Sequence, residues 1–332
     1  MDSSTYKILA IDGGGIKGLY SAVILEKFEE KFGPIHKHVD LICGTSTGGI
    51  IALALAAGIP AATIVNLYAE KGLNIFPYKS TWRRKLHFYK QLTFSSKYPD
   101  KNLREELVKV FGELKIKDCK STVLIPSVNI TEGTPFVFKS DHAEGLNRDK
   151  EHKLVDVALA TSAAPTYFPI AKVPLLPKGQ FVDGGLWANN PSLLGIQEAY
   201  RFYIDKENQP FKKFNLLSIA TLTENIKIEP DTRRNKGMFG WKQDLFSLMM
   251  DTQSIAVHNH INYVLSSLDE CCYIRIPSEE LNKEEKKFIE LDYAAPKSIE
   301  ILKNKGTIAG DKWIKSEDVE KFFTSSKETV SI

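Results

Sequence analysis

Alternating apolar and polar stretches divide the beginning of the chain into strands and helices. A short apolar run at residues 6–11 predicts a buried strand, and apolar residues at helical spacing over residues 18–32 predict the helix that follows. Residues 38–43 predict a second buried strand, and the alanine-rich residues 50–57 predict a second helix. Strands and helices that alternate in this way are typical of a parallel sheet with right-handed crossovers.

The same pattern continues through the rest of the chain. Further strands and helices are predicted, with strands at 122–129, 136–139, 180–183 and 215–220, and helices at 103–111, 153–162 and 193–203. Beyond Thr221 the pattern is mostly helical, apart from a strand pattern at 272–276, and the polar, basic residues 225–240 predict a loop. We therefore expect a catalytic core over residues 1–220 and a mostly helical part over 221–332 that packs on the same domain.

Composition and charge narrow the class of protein. The chain of 332 residues is long enough to bury a core without disulfides or metals, and its net charge of +3 does not indicate a nucleic-acid polymer as partner. The four cysteines form no C-x-x-C pair, which favours a reducing cytoplasm. The longest apolar run, residues 49–59, is too short to cross a bilayer. The sequence thus predicts a cytoplasmic protein that reaches membrane lipid only from the surface.

A glycine-rich loop, Asp-Gly-Gly-Gly-Ile-Lys-Gly at residues 12–18, joins the first strand to the first helix. It matches G-x-G-x-x-G, but a dinucleotide site also needs an acidic residue at the end of the second strand. That strand ends at Cys43, and Asp40 lies near its start. The alternatives are a plain tight turn or an oxyanion hole, in which glycine N–H groups converge at a helix N-terminus.

Residues 44–48, Gly-Thr-Ser-Thr-Gly, match G-x-S-x-G between a buried strand and an apolar helix. A serine on such a sharp turn exposes its Oγ, and flanking glycines relieve the crowding of the turn. Ser46 is therefore a candidate nucleophile, supported by Gly44 and Gly48, and the alternative is a simple helix cap. The motif by itself does not name the base that must activate the serine.

Two kinds of base are available to Ser46. Among the seven histidines, His258 and His260 follow the serine as a Ser-Asp-His esterase requires, but both lie in a helical stretch. Asp183 ends a predicted strand and is followed by Gly184 and Gly185, so its carboxylate has room to approach another loop. An ordinary Asp-Gly turn is the alternative explanation of that motif.

In this order, the three motifs at residues 12–18, 44–48 and 183–185 resemble the signature of the patatin-like phospholipases. Residues 161–165 and 187–191 are also similar to that family. The resemblance implies a three-layer α/β/α fold with a mainly parallel central sheet. It also implies a serine–aspartate dyad that cleaves fatty-acyl esters of membrane phospholipids through an acyl-enzyme, without cofactor or metal. The implied roles are nucleophile for Ser46, base for Asp183, oxyanion hole for Gly13, Gly14 and Gly15, and the family's usual basic position for Lys17.

The family resemblance and one basic segment of the chain indicate the partners to expect. Some bacterial members of the family are anti-phage effectors switched on by a cyclic nucleotide, which makes such an activator an expected partner. Residues 71–99 contain seven basic and no acidic residues with interleaved aromatics, which suits an anionic membrane surface, nucleic acid or an anionic small ligand. The alternative is a solvated basic face with some core aromatics. The contacts would include Arg83, Arg84 and Lys85. A homo-oligomer, a non-catalytic lipid-binding scaffold and a nucleotide-dependent enzyme stay open as alternatives.

Overall fold

The computed structural model describes residues 5–77, 96–223, 235, 241, 244–265 and 271–324. The strands are β1 (Thr5–Ile11), β2 (Leu41–Gly44), β3 (Thr122–Asn129), β4 (Thr134–Lys139), β5 (Ala171–Lys172), β6 (Gln180–Asp183), β7 (Lys213–Ile219) and β8 (Cys272–Ile276). The α-helices are α1 (Gly18–Phe32), α2 (Thr47–Ala57), α3 (Ala61–Ile75), α4 (Lys101–Phe111), α5 (Leu154–Ser162), α6 (Gly185–Ala188), α7 (Ser192–Phe202), α8 (Asp244–Leu265), α9 (Lys283–Lys286), α10 (Pro296–Trp313) and α11 (Glu317–Thr324). Among these residues, no helix combines the length and apolar character needed to cross a membrane.

All eight strands form one sheet in the order β5-β6-β3-β2-β1-β7-β8, with β4 paired to β3. The neighbours β3, β2, β1, β7 and β8 run parallel, whereas β4, β5 and β6 pair antiparallel. The sheet is therefore mainly parallel, and its parallel strands end at the same edge. That edge carries both loops predicted to be catalytic, since one follows β1 and the other follows β2.

Two strands meet end to end along one side of β3. The first residues of β3 pair with β2, and its last residues pair with β6, while β4 pairs along nearly the whole strand. Because a strand has only two edges and β4 occupies one, β2 and β6 share the other. They run in opposite directions, so the carboxyl ends of β2 and β6 point toward each other. The fold thus brings Gly44, at the end of β2, close to Asp183, at the end of β6.

Helices cover both faces of the sheet. Along β1, Leu9 and Ile11 belong to one core cluster, which also contains the apolar sides of α1, α2 and α3. Ile8 and Ala10 point the other way, into a second cluster with α7 and α8. Successive residues of a strand face opposite sides, so a fully buried strand supplies both cores. The observed α/β/α layering confirms the fold class implied by the sequence.

Most predicted elements are present, with shifted ends. The second strand begins at Leu41 rather than at 38, and the second helix begins at Thr47, inside the predicted turn. The prediction missed α3 entirely. Residues beyond 220 enter the same sheet through β8, and α10 packs against α1. The division of the chain at residue 220 stays a prediction.

Candidate active site

Ser46 and Asp183 meet where β2 and β6 converge. The Ser46 hydroxyl donates a hydrogen bond of 2.7 Å to Asp183 Oδ2, across 137 residues of sequence. Both side chains are buried, with exposures of 5% and 1%. Serine and carboxylate are therefore in direct contact without an intervening imidazole.

The backbone at Ser46 has the strained geometry of a nucleophile elbow. Its φ of 53° is rare for a residue with a side chain, and such strain persists only where the surroundings enforce it. Thr161 supplies part of that enforcement, because its hydroxyl accepts from Ser46 N at 3.0 Å and donates to the Pro126 carbonyl at 2.6 Å. A Cβ on Gly48 would lie 2.3 Å from the Ile11 carbonyl oxygen, so this close approach requires glycine.

Hydrogen bonds to both carboxylate oxygens fix the orientation of Asp183. Oδ2 accepts from Ser46, and Oδ1 accepts from Gly185 N at 2.7 Å, at the start of α6. Burial raises the pKa of Asp183 to about 6, although the hydrogen bonds from Ser46 and Gly185 act in the opposite direction. Gly184 allows the strand end to pass close to β3, since its Cβ would lie 2.2 Å from the Pro126 oxygen. A carboxylate with this pKa is a stronger base than an exposed aspartate.

The glycine loop lies directly against the elbow. Thr47, the first residue of α2, donates through its hydroxyl to the Gly15 carbonyl at 2.6 Å. The Gly13 N–H is already engaged with the Asn189 carbonyl at 3.0 Å. Within the described part of the chain, no hydrogen bond occupies the N–H groups of Gly14 and Gly15. These two are therefore the donors still available to a substrate oxygen.

Gly15 cannot be replaced without moving the chain. It has a φ of +58°, and a Cβ there would lie 2.1 Å from the Leu291 carbonyl oxygen. The same carbonyl accepts from Ile16 N at 2.9 Å. A residue far along the chain thus holds the glycine loop in a conformation that only glycine adopts easily.

Arg275, on β8, anchors the beginning of the glycine loop. Its guanidinium binds both carboxylate oxygens of Asp12, at 2.9 and 2.5 Å, and also donates to the Ser218 hydroxyl at 2.6 Å. Ser254 of α8 adds a hydrogen bond of 3.0 Å to Asp12. Arg275 is not among the predicted site residues. An arginine inside the apolar strand pattern of residues 272–276 nevertheless indicates a buried ion pair.

Asn189 connects the glycine loop to α8. Its Nδ2 donates to the Met250 carbonyl at 3.3 Å and to the Ser254 hydroxyl at 3.0 Å. Since Ser254 already donates to Asp12, it accepts from Asn189, and this sets the orientation of the amide. Asn189 Oδ1 faces Gly13 and is buried without a hydrogen-bond partner in the described residues. Asn189 lies in one of the family-like motifs, but its role was not predicted.

An apolar cavity of about 40 Å³ opens onto the dyad. Besides Ser46 and Asp183, its walls are mostly aliphatic and aromatic: Ile50, Tyr68, Ile75, Phe76, Leu103, Tyr167, Phe168, Phe246, Met250 and Leu291. A second, polar cavity of about 250 Å³ lies at the other side of the glycine loop, beside Asp12, Asp251 and Arg275. The dyad therefore faces an apolar environment that suits a hydrocarbon chain.

Other predicted site residues lie farther from the dyad. Lys17 is buried at the end of a short 3-10 helix, and its charge favours the ionised form of Asp251, whose pKa is raised by burial. His258 Nδ1 lies 3.0 Å from the Tyr273 hydroxyl and lines the polar cavity instead of contacting Asp183. His260 is exposed on α8. Ser46 contacts Asp183 directly, and among the described residues no histidine hydrogen-bonds to the Asp183 carboxylate.

The predicted membrane contacts Arg83, Arg84 and Lys85 lie outside the described residues, as does nearly all of the loop at 225–240. Lys97, from the same basic segment, forms an ion pair with the buried Asp292. Tyr98 donates to that carboxylate at 2.7 Å and packs against Phe76 in the core. These residues of the segment are engaged in the fold, which leaves fewer of them for a membrane surface.

Comparison with known proteins shows the family to which the chain belongs. The family model of the patatin-like phospholipases matches residues 9–194. A cGAMP-activated phospholipase of Pseudomonas aeruginosa is 36% identical, over 93% of this chain and 89% of that protein. Proteins described in the same words from Escherichia coli and Vibrio cholerae are 32% and 34% identical, over 98% and 96% of this chain and 94% of each of those proteins. The chain therefore belongs to the patatin-like phospholipase family and is a lipid acyl hydrolase.

Proposed function

We propose that Ser46 and Asp183 form the catalytic dyad of this enzyme. The observation that carries the proposal is the 2.7 Å hydrogen bond between Ser46 Oγ and Asp183 Oδ2 in a buried, apolar site. Asp183 accepts the proton as Oγ attacks the ester carbonyl, and it returns that proton to the leaving alcohol as the acyl-enzyme forms. It then takes a proton from a water molecule, which attacks the acyl-enzyme and releases the fatty acid while Ser46 recovers its proton.

The glycine loop supplies the oxyanion hole in this mechanism. Gly14 and Gly15 donate their N–H groups to the negative oxygen of the tetrahedral intermediate, and Gly13 holds the loop through its bond to Asn189. The proximity of the loop supports this role, because an added Cβ on Gly13 would lie 3.3 Å from Ser46 Cβ. Donors fixed in advance stabilise the developing charge without reorganisation. The supporting glycines are Gly44, Gly48, Gly184 and Gly185.

The substrate is a membrane phospholipid whose acyl chain enters the apolar cavity. The cavity of about 40 Å³ has room for only a few water molecules, so it must widen to hold an acyl chain. The need to widen the cavity supports control by an activator that favours a form of the enzyme with a wider cavity. The names of the three bacterial relatives support a cyclic nucleotide, here cyclic GMP-AMP, as that activator. The enzyme would then act at the cytoplasmic membrane surface in anti-phage defence, alone or as a homo-oligomer.

The test is to incubate the purified protein with mixed phospholipid vesicles, with and without cyclic GMP-AMP, and to identify the products by mass. We expect free fatty acids and lysophospholipids, formed faster with the nucleotide. Cyclic di-GMP serves as the control for nonspecific nucleotide effects. Hydrolysis that persists in a folded Ser46→Ala variant would reject the dyad, and equal rates with and without cyclic GMP-AMP would reject it as the activator.

A further inference from the structure

Helix α8 forms a wall of the catalytic cavity. Phe246 and Met250, four residues apart on one side of the helix, line the cavity together with Ser46 and Asp183. Met250 is 3% exposed, and its carbonyl accepts from Asn189. One side of α8 is therefore fixed by the active site.

A neighbouring side of α8, about 100° around the helix axis, exposes apolar side chains in a stripe along the helix. Leu245 and Met249 are 39% and 45% exposed and immediately precede the two cavity residues. Tyr263 continues the exposed side at 81%, whereas Ile255, at 54%, borders the polar cavity. The only charged residues of the helix are Asp244 and Asp251, and Asp251 turns to the polar cavity. Leu245, Met249, Thr252, Ala256 and Tyr263 follow one another at spacings of three, four or seven residues and form an uncharged stripe, which we call the α8 stripe.

The chemistry of the substrate identifies the partner of the α8 stripe. A phospholipid must leave a bilayer and bring its ester to Ser46, and exposing its hydrocarbon to water on the way is unfavourable. A single helical turn carries both the cavity wall, Phe246 and Met250, and the exposed pair, Leu245 and Met249. Charged side chains would oppose insertion at such a place, and the stripe has none.

We propose that the α8 stripe docks on the lipid bilayer, with Leu245 and Met249 immersed at the boundary of the acyl chains. The inference rests on the proposed lipid substrate and adds the surface that delivers it. This surface differs from the basic segment at residues 71–99, because hydrophobic docking needs no anionic lipid and is only weakly screened by salt. Lipid would pass from the bilayer along α8 into the cavity.

The test compares Leu245→Glu/Met249→Glu with Ile308→Glu in vesicles of pure phosphatidylcholine. Ile308 is 55% exposed on α10, so its variant controls for adding a carboxylate at an exposed apolar position. We expect the α8 double variant to bind vesicles at least about tenfold more weakly, because two apolar side chains no longer insert. The Ile308 variant should bind as the parent does, and Leu245→Ala/Met249→Ala should be intermediate.

Turnover of a short, soluble ester separates this proposal from the dyad. It should be unchanged in the α8 double variant, because Ser46 and Asp183 are untouched. If the parent protein does not hydrolyse the soluble ester, the proposed dyad is wrong. The comparison of vesicle binding between the parent and the α8 variants is still valid in that case. Equal vesicle binding by parent and folded α8 variants would overturn the docking proposal. A fall in molecular mass of the protein in solution, with vesicle binding unchanged, would overturn it in favour of a second copy of the chain as the occupant.

Discussion

The two loops of the active site are held in different ways. The elbow around Ser46 is fixed by Thr161, Pro126 and Asp183, which all lie in the region matched by the family model. The glycine loop is fixed by Thr47 and Asn189 of that region and also by Arg275 and Leu291, which lie far beyond it. The proposed nucleophile is therefore held by residues of the region that the family model matches, whereas the proposed oxyanion hole also depends on the last third of the chain. Changes on the two sides should damage catalysis differently.

We expect the largest loss of activity when Ser46 or Asp183 is replaced. Ser46→Ala and Asp183→Asn should each lower kcat by about 10⁴-fold or more, because nucleophile and base act as one unit. The double variant should be little worse than either single variant. The measurement is turnover of a soluble ester, with circular dichroism to verify folding. His258→Ala is the control, and an inactive but folded His258→Ala would indicate a triad.

A smaller loss is expected where the glycine loop meets Thr221. A Cβ on Gly14 would lie 2.6 Å from the Thr221 hydroxyl, so Gly14→Ala should push the loop away from the oxyanion. We expect kcat to fall by about 10²-fold with little change in KM, since the donors act mainly in the transition state. Adding Thr221→Gly should restore part of the rate by making room. A change confined to KM would contradict the oxyanion role.

The buried ion pair between Arg275 and Asp12 should affect stability more than chemistry. Arg275→Met leaves the carboxylate of Asp12 buried without its partner, which typically costs about 3–5 kcal/mol of unfolding free energy. We expect kcat to fall by roughly tenfold as the loop loses its anchor.

The double variant Asp12→Asn/Arg275→Met is the matched control for that experiment. It removes both charges and should recover much of the unfolding free energy measured by denaturant titration. If the single and double variants were equally stable, the pair would not be what holds the loop.

The pH dependence of the parent enzyme gives the smallest effect. The base must be ionised, and the pKa of Asp183 is raised to about 6 by burial. Thus kcat/KM for a soluble ester should fall about tenfold for each pH unit below about 6 and level off above it. The unfolding free energy should change with pH in the direction opposite to the rate. The folded carboxyl binds its proton more tightly than the unfolded one, so its contribution is lost as pH rises through about 6.

Asp183→Asn tests that sign because it cannot ionise. Its unfolding free energy should exceed that of the parent above pH 6, and the difference should shrink as the pH falls from about 6 to the ordinary pKa of an aspartate. A rate profile centred near the ordinary aspartate pKa would show that burial does not tune this base.

Much of the site could be predicted because its motifs are local. A glycine-rich loop after one strand and a G-x-S-x-G turn after the next are short patterns, and their strand-to-helix settings are visible in the alternation of apolar residues. Arg275 and Leu291 could not be predicted in the same way. Their contribution depends on β8 joining the sheet beside β7 and on a carbonyl group, which has no signature in the sequence.

The order of residues shows which groups are available for chemistry and which loops carry them. Which of these groups meet depends on how the whole chain folds. Ser46 reaches Asp183 across 137 residues because β2 and β6 converge along one edge of β3, and Arg275 reaches Asp12 across 263 residues through the order of the strands. Strand order follows from packing the whole chain into two cores, and no short stretch of sequence encodes it.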